Sequence, residues 1–415
     1  GVMIKTGIYG LLRTLTFLGP PAAWPAWWGW TLIGVGAVSG VGGVLFALAQ
    51  HDLKRLLAYH SVENIGIIAL GLGLGMLGAA TGHPALAALG LMGGLLHVWN
   101  HAIFKTLLFL GAGAVVHATG TRNIEQLGGL LKRMPRTGLF FLVGSAAICG
   151  LPPLNGFISE LLLYVGAFGA IAHAGPSQAA VGGLVAVGAL ALIGGLAVAC
   201  FTKVFGIVFL GEPRGDAAAG ADEAPSAMWI PMAALAGLCV GIGLLGPVVI
   251  AAIRPSMEGV LPPAPSVLHD VSGLLWRVSG AAAALMVLAA ALAIVRRRLL
   301  AGRIVGRSST WDCGYAAPTA RMQYTASSFA GPILRMFGAL LRPRVHRHLP
   351  TGLFPRQASF ESHTDDPFSR YAYVPLFGAV GWIADRLRWV QQGHNQLYVL
   401  YIALTLVILL LWKLG

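Results

Sequence analysis

Charged side chains are scarce in this sequence of 415 residues: Asp, Glu, Lys and Arg make up 10% of it, whereas hydrophobic residues make up 56%. A soluble globular protein carries about 25% charged residues. In lipid, a helix can satisfy its own backbone hydrogen bonds, so such a chain folds into membrane helices. The composition therefore argues against a soluble enzyme. It predicts an all-α, polytopic transmembrane helix bundle with the lipid bilayer as a partner.

Cysteine is also sparse, and the four residues, Cys149, Cys200, Cys239 and Cys313, form no CxxC pair. Iron–sulfur clusters and structural zinc sites need closely spaced thiolates. The sequence also lacks a Gly-rich dinucleotide fingerprint and a Walker lysine loop. We therefore expect no cofactor and no metal in this chain.

Acidic residues are outnumbered, 15 against 28 Lys and Arg, which gives a net charge of +13. Nucleic-acid binding would be one explanation. The basic residues cluster instead beside apolar segments, as the positive-inside rule describes. Residues 296–356 contain eleven arginines against Asp312 alone, and residues 119–136 are basic as well. We therefore exclude nucleic acid as a partner and expect both segments on the cytoplasmic side.

Nine apolar segments are long enough to cross, or nearly cross, a hydrocarbon core of about 30 Å. They cover residues 2–18, 28–50, 54–77, 84–117, 137–172, 180–210, 228–253, 272–295 and 394–413. The fifth is too long for one straight crossing and contains the sequence GLPPLNG. Pro152 and Pro153 remove backbone donors and Gly156 loosens the helix, which predicts a break. Non-helical backbone at membrane depth needs protein or a wet cavity around it, so the break is expected to mark a functional point.

Residues 296–393 form one large region without a membrane-crossing segment. Apolar residues recur at helical spacing in residues 327–344 and again in residues 371–390. This spacing favours helices that lie along the membrane surface. The alternative is a cytoplasmic loop that only partner subunits order.

A row of basic side chains lies in the fourth segment, in the sequence HVWNHAIFK. At 100° per residue, His97, His101 and Lys105 share a stripe of about 80° on one helix face. A lysine at the centre of a membrane helix costs about 2.5–3.5 kcal/mol, which favours a functional role. The two histidines also have the spacing of metal ligands, but Val98 stands where the HExxH motif needs Glu. We favour a proton relay over a zinc site.

The third segment carries a second polar group. His60, Glu63 and Asn64 share one helix face at positions i, i+3 and i+4. Lys54 begins the segment, where it either contacts lipid headgroups or stands at the mouth of a buried hydrophilic path. Three polar residues in an otherwise apolar helix favour the second interpretation.

Three single ionisable residues complete the candidates for a proton pathway. Glu160 lies four residues after the break and could accept a proton, because a buried carboxyl stays protonated until a positive charge approaches. Lys5 lies early in the first segment and is either functional or at the surface. Lys203 lies close enough to a helix end to extend to the surface, so a structural role is the alternative to a place in the pathway.

Four stretches occur in a characteristic order: DLKRLLAY, HAIFKTLLFL, GLPPLNGF followed by ISE, and FTKVFGIVFLG. In this order they resemble the antiporter-like proton-pumping membrane subunits of respiratory complex I, cation/proton antiporters and membrane-bound hydrogenases. LAYHSVENIG and TWDCGY, with PTARMQYTASSF, resemble the branch of hydrogenase-4 and formate hydrogenlyase. The resemblance implies two inverted half-channels, each with a broken helix, joined by a hydrophilic axis.

The resemblance also implies roles for individual residues. Lys54 matches the lysine that links the two halves, His101 and Lys105 match the central pair, and Glu160 matches the terminal Lys-or-Glu position. The first half-channel would precede Gly1, so we expect an N-terminally incomplete chain. Residues 1–50 would be the remainder of that half, 51–211 the second half-channel, 212–295 peripheral membrane helices, 296–393 the surface region and 394–415 a final membrane helix.

The function implied by the resemblance is that of a proton-translocating subunit of a hydrogenase or formate hydrogenlyase complex in a bacterial inner membrane. Other membrane and hydrophilic subunits would be its partners, and electron transfer would take place in them. A subunit of complex I, or of a multisubunit Na⁺/H⁺ antiporter, is the alternative, so the ion could be Na⁺ rather than H⁺. A structural anchor that has lost pumping is a third interpretation.

Overall fold

The structure is a computed structural model that describes residues 3–257, 265–303, 319–349, 358–388 and 393–414, and the single positions 306, 314 and 352. The chain divides into two compact units, Gly1–His363 and Thr364–Gly415. Most of the motif TWDCGY, at residues 310–315, lies outside the described residues.

The first unit consists mainly of helices. They are α1 (Lys5–Phe17), α2 (Ala26–Leu48), α3 (Leu53–Ala80), α4 (Pro84–Thr119), α5 (Leu130–Arg133), α6 (Pro135–Ile148), α7 (Asn155–His173), α8 (Gln178–Phe209), α9 (Asp216–Ala219), α10 (Ser226–Leu244), α11 (Gly246–Met257), α12 (Pro265–Leu300), α13 (Ala326–Met336) and α14 (Gly338–Leu341).

An antiparallel hairpin follows α14, with strands β1 (Arg344–His348) and β2 (Ser359–His363). The pairing runs from Arg344 opposite His363 to His348 opposite Ser359. The all-α prediction misses this hairpin. Nearly all of its side chains are exposed, so no buried face produces the apolar alternation that marks a strand.

The second unit contains α15 (Val374–Leu387) and α16 (Asn395–Leu414), with a π-helical turn at Ser369–Tyr373. Helical spacing in residues 371–390 and 327–344 predicted helices there. The structure places α15 in the first range and α13 in the second.

Eight of the described helices are long and apolar enough to cross a membrane: α2, α3, α4, α7, α8, α10, α12 and α16. This confirms the prediction of a polytopic transmembrane bundle. Helix α1, in the first predicted segment, has 13 residues, or about 20 Å of helix, which is shorter than a hydrocarbon core of about 30 Å. The segment 228–253 also divides, into α10 and α11.

The predicted break in the fifth segment is confirmed: α6 ends at Ile148 and α7 begins at Asn155. Gly150 adopts a left-handed conformation with φ of 61°, which an L side chain rarely does. Gly243 of α10 lies against the carbonyl of Pro153 with no room for a side chain between them. Protein therefore covers the break from Pro153 to Leu154, whereas Leu151 and Pro152 are exposed in this chain.

Glycines allow α2 and α4 to approach α3 at backbone distance. A Cβ on Gly36 would lie 2.7 Å from the Gly66 oxygen, and one on Gly43 would lie 2.5 Å from the Glu63 nitrogen. Small residues permit this kind of packing between membrane helices. Helix α3 also contacts α8, so it lies inside the bundle and its polar side chains are shielded from lipid.

Candidate functional site: a row of buried ionisable side chains

The structure buries the polar candidates of two neighbouring helices. The following residues of α3 and α4 have 0% exposed surface: His60, Glu63, Asn64, His97, His101 and Lys105. Burying polar groups in this way is costly unless hydrogen bonds or water satisfy them. The contacts of these side chains therefore indicate what the site can do.

On α3, His60 and Glu63 form a pair. Nδ1 of His60 bonds Oε2 of Glu63, three residues later on the same face. Asn64 Nδ2 donates to the His60 carbonyl oxygen at 2.8 Å and lies 3.4 Å from Glu63 Oε2. The remaining atoms of the pair, His60 Nε2 and Glu63 Oε1, are buried and have no hydrogen-bond partner in the described part of the chain.

His97 of α4 joins three helices. Its Nε2 lies 3.1 Å from Oδ1 of Asn64 on α3, and its Nδ1 lies 2.9 Å from the hydroxyl oxygen of Ser159 on α7. The Ser159 hydroxyl also lies 2.9 Å from the Gly156 carbonyl oxygen, at the end of the break. Through these contacts, the first histidine of the α4 stripe is connected to both the Glu63 pair and the broken helix.

Sequence analysis missed three of the residues that connect α4 to the break. Asn100 Nδ2 donates to the Asn155 carbonyl oxygen at 2.7 Å and to Ser159 Oγ at 3.0 Å. Asn155 Nδ2 in turn donates a hydrogen bond to the Asn100 carbonyl oxygen at 3.3 Å. All three side chains are fully buried. Their presence within HVWNH and LPPLNGFISE was the available signal, but the prediction on these stretches rested on charge and on the helix break rather than on amide and hydroxyl groups.

His101 and Lys105 follow along α4. Both ring nitrogens of His101 and Nζ of Lys105 are buried without a hydrogen-bond partner among the residues that the structure describes. Lys105 Nζ lies 5.6 Å from the centroid of the Phe109 ring. Its electrostatic neighbours are Glu63, which attracts it, and Lys5, which repels it. Lys105 thus interacts with groups of both signs.

Glu160 lies half-buried beside the break. A Cβ on Gly150 would lie 2.7 Å from Oε2 of Glu160, so the left-handed glycine leaves space for the carboxyl group. Glu160 interacts electrostatically with Glu63. The carboxyl group of Glu160 on α7 therefore lies against Gly150 of the break.

Two of the candidate lysines differ in their placement. Lys5 of α1 is 8% exposed and interacts electrostatically with His97, His101 and Lys105. Lys54 is half-buried at the start of α3, and no hydrogen bond or ion pair within the described ranges joins it to the row. The structure therefore groups Lys5 with the central residues and leaves Lys54 at the end of the helix.

Lys203 lies close enough to the end of α8 to extend to the surface, but the structure buries it in a structural contact instead. Its side chain is 1% exposed, and Nζ donates to the Leu48 carbonyl oxygen at 2.6 Å and to the Gln50 carbonyl oxygen at 3.0 Å. The last carbonyls of a helix lack intrahelical partners and carry the negative end of its dipole. Lys203 of α8 thus caps the end of α2.

Glu125 fixes α13 to the loop after α4. Its carboxylate accepts bonds from the Ala326 nitrogen at 3.1 Å and from the Ser327 nitrogen at 2.9 Å, and His51 Nδ1 lies 3.5 Å away. Burial raises the pKa of Glu125, but the contact with His51 and the hydrogen bonds from the start of α13 outweigh it and lower the pKa to about 2. The two arginine-rich segments therefore meet on one side of the bundle.

The alternative of a metal site can be examined among the described residues. No group of three or more His, Cys, Asp and Glu side chains in those residues is placed to hold a metal ion. The polar contacts of His97 are instead an amide oxygen and a hydroxyl group.

Comparison with known proteins gives related membrane subunits. The family model described as NADH:quinone oxidoreductase/Mrp antiporter, transmembrane, matches residues 1–177. Hydrogenase-4 component B of Escherichia coli (strain K12) is 36% identical over 426 aligned residues, which cover 99% of this chain and 63% of that relative. Formate hydrogenlyase subunit 3 of the same strain is 42% identical over 354 residues, which cover 85% of this chain and 56% of that relative.

A solved structure supports the fold. A chain in the structure of the membrane-bound sulfane sulfur reductase, an archaeal respiratory membrane complex, superposes with a TM-score of 0.60 at 21% identity, covering 92% of this chain and 56% of that one. The chain spans less than two thirds of the length of each of these three relatives. Over residues 1–177 the chain is similar to the NADH:quinone oxidoreductase/Mrp antiporter family of membrane subunits, and it shares the fold of the sulfane sulfur reductase chain.

Proposed function

We propose that this chain translocates protons as a membrane subunit of a hydrogenase or formate hydrogenlyase complex. The observation that carries the proposal is the row of buried ionisable side chains from Lys5 through His97, His101 and Lys105 to Glu63. Fully buried Lys and Glu side chains are rare unless they are paired or functional.

Water can connect the members of this row. Several of their polar atoms are buried and lack a protein partner in the described structure, and each such atom costs about 1–3 kcal/mol if nothing bonds it. Four residues of helix rise by about 6 Å, so His97, His101 and Lys105 are one water molecule apart along α4. A proton would move between them through hydrogen bonds to water.

Electrostatic coupling supplies a means of driving the proton. Two unit charges at 4 Å interact by about 4 kcal/mol at an effective dielectric constant of 20. A proton that crosses 100 mV of membrane potential needs about 2.3 kcal/mol. The attraction between Lys105 and Glu63 and the repulsion between Lys105 and Lys5 could therefore be changed enough, by moving one of these charges, to load or release a proton.

The partners follow from the relatives. Hydrogenase-4 component B and formate hydrogenlyase subunit 3 are named as parts of multisubunit enzymes. We infer that this chain works beside other membrane and hydrophilic subunits in a bacterial inner membrane. Electron transfer would take place in those subunits, and this chain would contribute no redox centre.

The test uses the complete complex in sealed vesicles, with proton movement measured per electron pair transferred. Glu63→Gln keeps a side chain of the same size but removes the ionisable group, so proton movement should fall at least tenfold. Glu212→Gln is the matched control, because Glu212 pairs with Lys132 and is 56% exposed, and it should behave as wild type.

Two outcomes would contradict the proposal. Unchanged proton movement in Glu63→Gln would favour a structural anchor. Transport that requires Na⁺ and proceeds without electron transfer would favour the Na⁺/H⁺ antiporter interpretation.

A further inference from the structure

The amide of Asn64 fixes which ring nitrogen of His97 carries a hydrogen. Asn64 Nδ2 lies 2.8 Å from the His60 carbonyl oxygen, which can only accept. Turning the amide over would place two oxygens against each other, so Nδ2 is the atom at that position. Asn64 Oδ1 then faces Nε2 of His97 at 3.1 Å and can only accept. Nε2 of His97 therefore carries a hydrogen in every state of this network.

The hydroxyl group of Ser159 has one hydrogen and two acceptors within reach. Its oxygen accepts a bond from Asn100 Nδ2 at 3.0 Å. Its hydrogen can point to the Gly156 carbonyl oxygen at 2.9 Å or to Nδ1 of His97 at 2.9 Å, but not to both. If the hydrogen points to Nδ1, His97 is neutral. If it points to Gly156, Nδ1 must itself carry a hydrogen to make the contact, and His97 is positively charged.

We infer that Ser159 is a positioning residue that makes His97 a two-state proton site, coupled to the helix break through the carbonyl group of Gly156. The inference deepens the proposed function and rests on it. In the neutral state, Ser159 donates to His97. In the charged state, His97 donates to Ser159, and Ser159 donates to Gly156.

A hydronium ion gives a proton to Ser159 Oγ and becomes water, and the hydrogen that Ser159 previously shared with Nδ1 becomes the N–H hydrogen of Nδ1. The O–H bond of hydronium and the original O–H bond of Ser159 break, while a new O–H bond of Ser159 and the N–H bond of Nδ1 form, so Ser159 ends as a neutral hydroxyl group. The charge of the His97 ring rises from 0 to +1, and the new hydroxyl hydrogen points to the Gly156 oxygen.

Several charged groups face this site. Lys5 of α1 and His101 of α4 interact electrostatically with His97, and α3 contributes Glu63 beside Asn64. Protonation of Lys5 or His101 disfavours the charged state of His97, and ionisation of Glu63 favours it. The charge state of His97 thus depends on the charges of Lys5, His101 and Glu63, as expected for a member of a proton relay.

The conformation of the break determines where the Gly156 carbonyl oxygen, the second acceptor for the Ser159 hydrogen, lies. The Gly156 nitrogen donates to Asn155 Oδ1 at 3.0 Å, and Asn155 is bonded to Asn100 on α4. A movement of the break that withdraws the Gly156 oxygen removes the acceptor that the charged state needs. The step then runs in reverse: the hydroxyl hydrogen of Ser159 leaves to water, the hydrogen on Nδ1 moves to Ser159 Oγ, and His97 becomes neutral.

The experiment is solid-state NMR of the full chain with ¹⁵N-labelled histidine in lipid, at a pH where His97 is neutral. A spectrum of His97→Gln identifies the His97 signals by subtraction. We expect wild-type His97 to carry its hydrogen on Nε2 and to accept a hydrogen bond at Nδ1. Asn64→Leu should produce a mixture of tautomers. Ser159→Ala should keep the Nε2–H form but lose the hydrogen bond at Nδ1.

Ser61→Ala is the matched control, because Ser61 lies on α3 and bonds only the Leu57 carbonyl oxygen among the described residues. It should leave the His97 signals unchanged. A neutral His97 with its hydrogen on Nδ1, or tautomers unaffected by Asn64→Leu, would overturn the assignment.

A measurement of proton movement distinguishes the role of Ser159 from the proposed function of the whole chain. Ser159→Ala in the complete complex should lower proton movement per electron pair at least fivefold. If Ser159→Ala has no effect while Glu63→Gln abolishes proton movement, the role of Ser159 is refuted and the proposed function stands.

Discussion

Two fully buried lysines should respond in opposite ways to the same substitution. Lys105 is 0% exposed and its Nζ has no hydrogen-bond partner among the described residues, whereas Nζ of Lys203 donates to two carbonyl oxygens. Methionine resembles lysine in length but has no charge. We predict that Lys105→Met stabilises the protein and that Lys203→Met destabilises it.

The magnitudes follow from these contacts. A lysine at the centre of a membrane helix costs about 2.5–3.5 kcal/mol, and loss of the attraction to Glu63 offsets part of the gain, so Lys105→Met should add about 1–2 kcal/mol. Lys203→Met removes two bonds from a charged donor and leaves two buried carbonyl oxygens of the α2 end without it. Because such bonds contribute about 1.5–3 kcal/mol each and a buried charge is also removed, we expect a net loss of about 1–3 kcal/mol.

The assay is thermal unfolding in detergent, followed with a thiol-reactive fluorophore. Cys149, Cys200 and Cys239 are free and buried, so they react when the bundle opens, and Cys313→Ser in every variant removes the signal of the fourth thiol. Lys132→Met, at a side chain that is 66% exposed, is the control and should shift the midpoint little. If Lys105→Met and Lys203→Met shift the midpoint in the same direction, the reasoning from their hydrogen bonds is refuted.

Two further predictions concern the close packing at Gly43 and the ionisation of Glu125. Gly43→Ala places a Cβ 2.5 Å from the Glu63 nitrogen, so we expect a loss of about 1–3 kcal/mol and reduced proton movement, whereas Gly42→Ala meets no atom within 4 Å and should change neither. The pKa of Glu125 lies at about 2, below its ordinary 4.5, so its contribution to the docking of α13 is complete above pH 4.5 and is lost as the pH falls towards 2. The protection factors of residues 326–336 in hydrogen exchange, which correct for the intrinsic pH dependence of the rate, should fall over that range, and at pH 7 in Glu125→Gln. Equal protection in wild type and Glu125→Gln at pH 7 would contradict this role.

Much of the fold could be predicted from the sequence. Long apolar segments fix the membrane helices because a bilayer leaves the backbone few alternatives. The two prolines of GLPPLNG fixed the break, since they remove donors that a continuous helix needs. The hairpin after α14 could not be predicted, because its exposed strands bury no apolar face.

The residue types of the candidate site could be predicted, but the helices that its side chains join could not. Charge within an apolar helix identified Lys105 and Glu63, since burial of such groups needs a reason. Helical periodicity does not say which helices are neighbours, so the contacts of His97 with α3 and α7 could not be foreseen. The same limit explains Lys203: its partner is the end of α2, 155 residues earlier in the sequence.

The proposed role of Lys105 in proton movement explains why a lysine is kept at a position where its burial is unfavourable. If Lys105 carried no proton, a neutral residue of similar size would be more stable at its position. Under the proposed function, the row of α4 therefore represents stability given up for proton movement. Ser159 and Asn64 show the opposite case, in which every polar atom has a partner and the hydrogen bonds select one form of the neighbouring histidine.

The most direct test of proton movement through this row is to measure protons translocated per electron pair by the reconstituted complex with Lys105→Met. The account predicts that electron transfer continues while proton movement falls at least tenfold, with Lys132→Met equal to wild type. Wild-type proton movement in Lys105→Met would contradict the account.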